Sequence, residues 1–202
     1  MPDVLNLAAF IKDTRAVGPG VRDAVWVQGC TIGCAGCGNQ AFLPHVPRRR
    51  MPVAQVVRHL RRRRAVIRGL SVLGGEPTEQ AAPVAALLEG AHALGLDTVV
   101  FTGRLYEDLQ GDPDPAIHRL LAATDLLIDG PYVAAERDPS LRWRGSRNQR
   151  LLCLGEAMQG LRPGAADPAA EVIVSVGGAV VNGVARLRMG PRGAGAGPVI
   201  ES

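Results

Sequence analysis

The sequence predicts an α/β fold in which parallel strands are joined by helices. Short apolar runs alternate with helical patterns at a spacing of roughly 25 residues, which is the length of a strand, a helix and their connections. Hydrophobic residues make up 47% of the 202 residues, enough to build a substantial core. Because parallel strands need right-handed crossovers, their carboxyl ends are expected to meet at one edge of the sheet.

The first half of the chain contains two predicted strands and two predicted helices. Residues 24–28 are predicted to form a short strand, and residues 70–73 form a buried strand that ends at two glycines. Between them a helix is predicted over 52–68, because Pro52 suits a first helical turn and apolar residues recur at helical spacing behind it. A second helix is predicted over 79–93.

The second half continues the alternation. Strands are predicted at 97–101, 125–129 and 149–154, with helical material up to residue 121 that is interrupted at 111–115. The polar segment 131–148 has no clear period, and loops of that length in compact domains tend to be functional or disordered. Residues 171–176 and 179–181 are predicted to pair as a hairpin, and 190–197 to form a flexible tail.

Composition restricts the classes of function. Aromatic residues make up only 3% of the chain, which argues against a stacking surface for single-stranded nucleic acid. The arginine runs at 48–50 and 61–64 are interpreted as solvated surface, so a nucleic-acid partner is not expected. No apolar run is long enough to span a membrane, and the first residues lack the pattern of a signal peptide, so a cytoplasmic protein is expected.

Three cysteines, Cys30, Cys34 and Cys37, stand close together after the first predicted strand. In a reducing compartment such a group binds metal or performs redox chemistry more often than it forms disulfides. Three cysteines can hold a [4Fe-4S] cluster and leave one iron open to an external ligand. A zinc site completed by His45 or Cys153 is the alternative, although Cys153 lies in an apolar run and is expected to be buried.

Other candidate residues follow the next three strands. Gly74 and Gly75 let a ligand lie against the backbone, and Glu76 could accept an ammonium group. Thr102 and Asp129 end later strands, where each could contact a ligand or simply stabilise its turn. The four histidines show no spacing typical of a metal site.

The cysteine triplet and the Gly-Gly-Glu-Pro turn resemble those of radical S-adenosylmethionine (SAM) enzymes. More narrowly, four stretches resemble the anaerobic ribonucleoside-triphosphate reductase activating proteins, over about residues 5 to 155. These stretches are Val-Gly-Pro-Gly-Val-Arg at 17–22, Cys-Ala-Gly-Cys-Gly-Asn at 34–39, Asp-Leu-Leu-Ile-Asp-Gly-Pro-Tyr at 125–132, and the arginine-rich segment 138–150, which includes Trp-Arg-Gly-Ser-Arg-Asn-Gln.

The resemblance implies a partial (β/α) barrel of the radical SAM type over residues 1–155, with a small C-terminal extension at 156–202. It implies that Cys30, Cys34 and Cys37 ligate a [4Fe-4S] cluster. It also implies a SAM site whose contacting residues are Gly36, Cys37, Gly38, Asn39, Gly74, Gly75, Glu76, Thr102, Asp129 and Arg144.

The implied activity is reductive cleavage of SAM to a 5′-deoxyadenosyl radical, which generates a glycyl radical on a partner enzyme. That partner is expected to be an anaerobic ribonucleotide reductase, and a flavodoxin or ferredoxin is expected to supply the electron. One alternative is a radical SAM enzyme that modifies a peptide or small molecule. Another is a zinc or iron–sulfur module without SAM chemistry.

Overall fold

A computed structural model describes residues 3–161, 170–175 and 178–183. The strands are β1 (Val4–Thr14), β2 (Arg22–Val27), β3 (Arg49–Pro52), β4 (Gly69–Gly74), β5 (Asp97–Phe101), β6 (Leu126–Asp129), β7 (Arg150–Cys153), β8 (Ala170–Ser175) and β9 (Gly178–Gly183). The helices are α1 (Val53–Arg63), α2 (Ala81–His92), α3 (Tyr106–Gln110) and α4 (Pro115–Ala122), with short 3-10 turns at Gln40–Phe42, Pro77–Gln80, Ala134–Glu136 and Glu156–Met158.

Seven strands form one open sheet in the order β3-β1-β2-β4-β5-β6-β7. Strands β2, β4, β5 and β6 are parallel, and their carboxyl ends meet at one edge. Strands β1 and β7 are added antiparallel on either side. The predicted α/β class is confirmed, whereas closure toward a partial barrel remains a prediction.

The helices form the main core against one face of the sheet. On β2 the side chains alternate, so that Val25 and Val27 join this core, together with Leu60 of α1 and Leu88 of α2. Helix α1 buries Val53, Val56 and Leu60 and exposes most of its arginines, as expected of an amphipathic surface helix.

The opposite face of the sheet carries two smaller apolar groups. Ala24, Trp26 and Leu73 pack with Val17 from the loop before β2. Val99, Leu126 and Ile128 pack with Trp143 and Met158 from segments after β6. Loops therefore cover this second face, and they leave room for a cavity there.

Several predicted boundaries and environments change. Strands β1 and β3 were not predicted. The helix expected over 52–68 is α1, which begins directly after β3 and ends at Arg63. Cys153 is exposed, not buried, since it lies on the edge strand β7.

The C-terminal predictions are tested in part. Strands β8 and β9 pair antiparallel, which confirms the hairpin, but the proposed tail at 190–197 lies outside the described residues. Met158 is fully buried against the main sheet, so its core continues past residue 155. The division into 1–155 and 156–202 stays a prediction. No helix in the described ranges is long and apolar enough to cross a lipid bilayer.

Candidate functional site

A cavity of about 470 Å³ opens at the carboxyl ends of the parallel strands, on the face of the sheet without helices. Every predicted site residue except Asp129 and Arg144 lines it. The three cysteines form one wall with Gly36, Gly38 and Asn39, and the turn after β4 and Thr102 after β5 form another. The apolar floor comes from Trp26, Leu73 and Phe101. The structure therefore gathers residues that are distant in sequence.

The cysteine loop is fixed to the body of the protein at its base. The N–H of Cys30 donates to the carbonyl of Leu43 at 2.9 Å. The N–H and hydroxyl of Thr31 both donate to one oxygen of Glu79 at 2.6 Å. Gly36 has a φ of +75°, which a residue without Cβ adopts at low cost and which reverses the loop between the last two cysteines.

Glu79 holds this loop together with His45. The Nε2 of His45 lies 2.6 Å from the second carboxylate oxygen of Glu79. Burial raises the pKa of Glu79, but the hydrogen bonds from Thr31 and His45 outweigh it and lower the pKa overall. His45 thus supports the loop from outside the cavity, and it is not among the residues that line it.

The donor set fits a [4Fe-4S] cluster better than a zinc site completed by a fourth protein ligand. All three thiols are partly exposed on one loop, whereas His45 is engaged with Glu79. Cys153 pairs with Leu126 at the start of β6, the opposite end of that strand from the cavity. In the part of the chain that the structure describes, no three His, Cys, Asp or Glu side chains gather tightly enough to hold a single metal ion.

The surroundings of Cys30 make its thiol less acidic. Burial raises the pKa of its thiol, backbone hydrogen bonds with Gly33 and Ile32 oppose that rise, and the negative charges of Glu76 and Glu79 add to it. A thiol must lose its proton to ligate iron. Iron bound here would oppose these effects, because its positive charge favours the Cys30 thiolate.

The turn after β4 lies directly against the base of the cysteine loop. The N–H of Gly75 donates to the carbonyl of Val27, and that of Glu76 donates to the carbonyl of Gly29, both at 2.8 Å. A Cβ on Gly75 would collide with the Gly29 carbonyl. The Nδ2 of Asn39 also reaches the carbonyl of Gly74 at 3.3 Å. Two glycines are needed here because two backbone segments touch.

The carboxylate of Glu76 is buried, with 2% of the residue exposed, and accepts four hydrogen bonds. Thr78 donates through its N–H (3.0 Å) and hydroxyl (2.7 Å). Thr102 donates through its hydroxyl at 2.8 Å, and Gly103 through its N–H at 2.9 Å. Burial raises the pKa of Glu76, and the donors from Gly103 and Thr78 oppose the rise. Glu76 therefore links the ends of β4 and β5.

Asp129 and Arg144 lie behind the cavity wall. Asp129 is fully buried and accepts hydrogen bonds from the N–H of Tyr106 and from the guanidinium of Arg150. Arg144 donates to the carbonyl of Gln149 at 3.1 Å. The structure thus gives each of them a partner within the protein, and their predicted contacts with SAM stay predictions.

Sequence reasoning missed the residues of the wall that faces the cysteine loop. Tyr132, Trp143, Gly145 and Gln149 line it, all from the segment between β6 and β7. Gly36 of the cysteine loop faces the ring of Tyr132, which lies 3.7 Å from where a Cβ would stand. Trp143 is one of only two tryptophans in the chain, and that rarity was the available signal.

Comparison with known proteins places this site in a family. Residues 16–152 match the model of a family described as a 4Fe-4S single cluster domain. The anaerobic ribonucleoside-triphosphate reductase-activating protein of Pasteurella multocida is 34% identical over 153 residues, which cover 72% of this chain and 95% of that protein. The chain belongs to the family of these activating proteins.

Other members of the activating-protein family also match this chain. The protein of that name from Haemophilus influenzae is 33% identical, over 72% of this chain and 96% of its own length. The one from Escherichia coli strain K12 is 31% identical, over 65% and 88%. Among solved structures, QueE from Escherichia coli aligns with a TM-score of 0.43 at 16% identity, covering 50% of this chain and 52% of QueE.

Proposed function

We propose that this chain activates an anaerobic ribonucleotide reductase by generating a glycyl radical on it. One observation carries the proposal: the three cysteines and the Gly74–Glu76 turn, distant in sequence, line one cavity. Membership of the activating-protein family supports the choice of partner. When bound, a [4Fe-4S] cluster with SAM at its open iron supplies the one-electron chemistry that cleaves SAM and removes a hydrogen atom from glycine.

The chain's own residues bind and orient these groups. Cys30, Cys34 and Cys37 hold the cluster through their thiolates. The backbone of Gly74 and Gly75 admits the amino-acid end of SAM. Oε2 of Glu76, which accepts one hydrogen bond where Oε1 accepts three, takes the ammonium group. Thr102 holds Glu76 in place through its hydroxyl. The further SAM contacts that the family resemblance implies, at Asp129 and Arg144, belong to the same proposal.

The apolar floor has a separate part in the reaction. Trp26 and Leu73 are almost fully buried beneath the cavity, and Phe101 adds to them. Such a surface excludes water and so protects a reactive radical from side reactions. We propose that the open sheet curves around this floor as a partial barrel, leaving a flank through which a protein loop enters.

The supply of electrons completes the proposal. A small reductant such as a flavodoxin or ferredoxin would reduce the cluster from outside. The cytoplasm is the compartment in which the three thiols stay reduced and able to hold iron.

Electron paramagnetic resonance tests the proposed function. The reconstituted protein, reduced without oxygen, is mixed with SAM and an anaerobic ribonucleotide reductase from the same organism, and a glycyl doublet is expected. The matched control omits SAM and should give no doublet.

Two results would contradict the proposal. A peptide or small molecule that becomes modified while no reductase yields a doublet would favour a different radical SAM enzyme. Stoichiometric zinc without iron uptake would favour a module that lacks SAM chemistry.

A further inference from the structure

Trp143 lines the cavity, and its indole N–H is a buried hydrogen-bond donor that has no acceptor among the described residues. The residue is only 4% exposed, and its indole Nε1 is buried without a partner among the described residues. Burying a donor without an acceptor is unfavourable. The indole N–H is therefore held ready for an acceptor that the described chain does not supply.

The backbone and the packing of Trp143 both fix its position. Its φ is +60°, a left-handed conformation that is a genuine outlier for a bulky residue. The ring packs on Val99, Leu126 and Ile128 of β5 and β6, and on Met158. Strain of this kind persists only where the surroundings impose it, and it is concentrated at functional sites.

Trp143 packs beside different strands from the one that leads into the cysteine loop. Its ring rests on Val99 and Leu126, which pair with each other inside the sheet, before β5 ends at Phe101. The cysteine loop, in contrast, follows the end of β2 at Val27. The cavity thus has the thiols and glycines beside β2 and β4, and a wall from the segment between β6 and β7 in which Trp143 lies with Tyr132, Arg137 and Gln149.

We propose that the indole N–H of Trp143 donates a hydrogen bond to a backbone carbonyl of the partner's glycine-bearing loop. This inference rests on the proposed function and deepens it by naming a residue that recognises the substrate peptide. A peptide carbonyl that enters an apolar cavity loses its hydration and needs a donor in return. Trp143 supplies that donor without charge, which suits a neutral peptide group of any sequence.

The proposal assigns Trp143 to the peptide and not to SAM. The polar groups of SAM are matched beside β2 and β4, by the thiol-bearing loop and the turn at residues 74–76. The indole N–H of Trp143 lies apart from these groups, so it remains available to the partner's peptide.

Trp143→Phe tests the assignment, because it removes the N–H and keeps an aromatic ring. The probe is a synthetic peptide that copies the radical-glycine loop of the reductase. The reconstituted protein is expected to bind this peptide about tenfold more weakly, as for one lost hydrogen bond in a dry site. Iron content and SAM affinity, both measured without peptide, are expected to stay unchanged.

A second variant separates the donor from the shape of the ring. Benzothienylalanine at position 143 replaces the N–H by sulfur at nearly the same volume, and it should weaken peptide binding to the same extent. Unchanged peptide affinity in both variants would overturn the proposal, and so would a loss of SAM affinity in its place. Failure of the wild-type protein to cleave SAM would instead count against the proposed function, and that is measured without the peptide.

Discussion

The carboxylate of Glu76 connects two strand ends through bonds that the sequence gives no direct sign of. The carboxylate accepts hydrogen bonds from the hydroxyl of Thr78, two residues later in the chain, and from that of Thr102, 26 residues later. Burial without these donors would force the carboxyl group to take up a proton. A residue that looks like a ligand contact in the sequence is thus also a structural link between β4 and β5.

Replacing Glu76 by glutamine should destabilise the fold. The amide nitrogen cannot accept a hydrogen bond, so at least one of the four donors is left unpaired in a buried site, at a cost of about 1–3 kcal/mol. Urea unfolding of the cluster-free protein measures the loss. Glu89→Gln is the matched control, since Glu89 makes only an exposed pair with Arg119 and should change stability by less than about 1 kcal/mol. Equal effects in both variants would show that Glu76 is not a link.

The cysteines give a second prediction at this scale. Alanine at position 30, 34 or 37 should abolish iron binding after anaerobic reconstitution, because two thiolates do not hold the cluster. Cys153→Ala should keep about four irons per chain, the content of a cubane, since Cys153 is exposed on β7 away from the cavity. Iron analysis and visible absorbance measure both. Retained iron in the Cys34 variant would contradict the ligand assignment.

At the scale of elements, the sequence predicts all four buried parallel strands, and it also predicts the antiparallel strands β7, β8 and β9. Strands β2, β4, β5 and β6 are continuous apolar runs because both faces are covered. Strand β1 escapes prediction because two irregularities, at Leu7/Ala9 and Ile11/Thr14, break its alternation. Strand β3 was not predicted because it lies at the edge of the sheet. Its backbone pairs with β1 while its arginines stay exposed, so it lacks an apolar pattern.

The same distinction applies to the site. The three cysteines form one short motif and the two glycines form another. Each motif can be recognised from neighbouring residues, so the sequence predicts the parts of the cavity wall that they form. The opposite wall comes from a segment without period, and only packing on β5 and β6 brings Trp143 to it. Asp129 lies at a strand end as expected, yet Arg150 from the neighbouring strand holds its carboxylate, and nothing in the sequence indicates that pairing.

Gly75→Ala tests whether the turn after β4 must lie directly against the base of the cysteine loop. Its Cβ would overlap the Gly29 carbonyl, a backbone atom that cannot rotate away, so the base of the cysteine loop must shift. We expect loss of cluster binding, measured as iron per chain, with the secondary structure kept by circular dichroism. Gly111→Ala, where a Cβ has ordinary room, should keep its iron. Full iron content in the Gly75 variant would show that this contact is not needed.

For the molecule as a whole, Arg22 fixes the end of the sheet opposite the site. It is fully buried and donates to Ser71, Asp97 and the carbonyls of Pro19 and Leu70. Burial lowers the pKa of Arg22, and the carboxylate of Asp97 opposes this. Ser71 in turn donates to the carbonyl of Val17, a residue that lines the cavity. Stability and site are therefore connected through one loop.

Arg22→Met should lower global stability strongly while leaving the cysteine loop in place. Removing one partner of a buried ion pair costs about 3–5 kcal/mol, and Asp97 keeps only its pair with Arg68. Denaturant unfolding measures the loss, and Arg119→Met, at an exposed pair, is the control. The folded fraction should still bind iron. An iron-free but folded variant would show that Arg22 acts on the site directly.

The segment between β6 and β7 leaves the sheet and returns to it at the same place. Asp129 and Arg150, its two flanking residues, are paired across adjacent strands. The entropic cost of closing a loop rises only slowly with its length. This segment could therefore be longer without a change in the pairing of β6 with β7. This wall of the cavity can thus change in length while the sheet stays as it is, and under the proposed function such a change would alter which substrate the cavity admits.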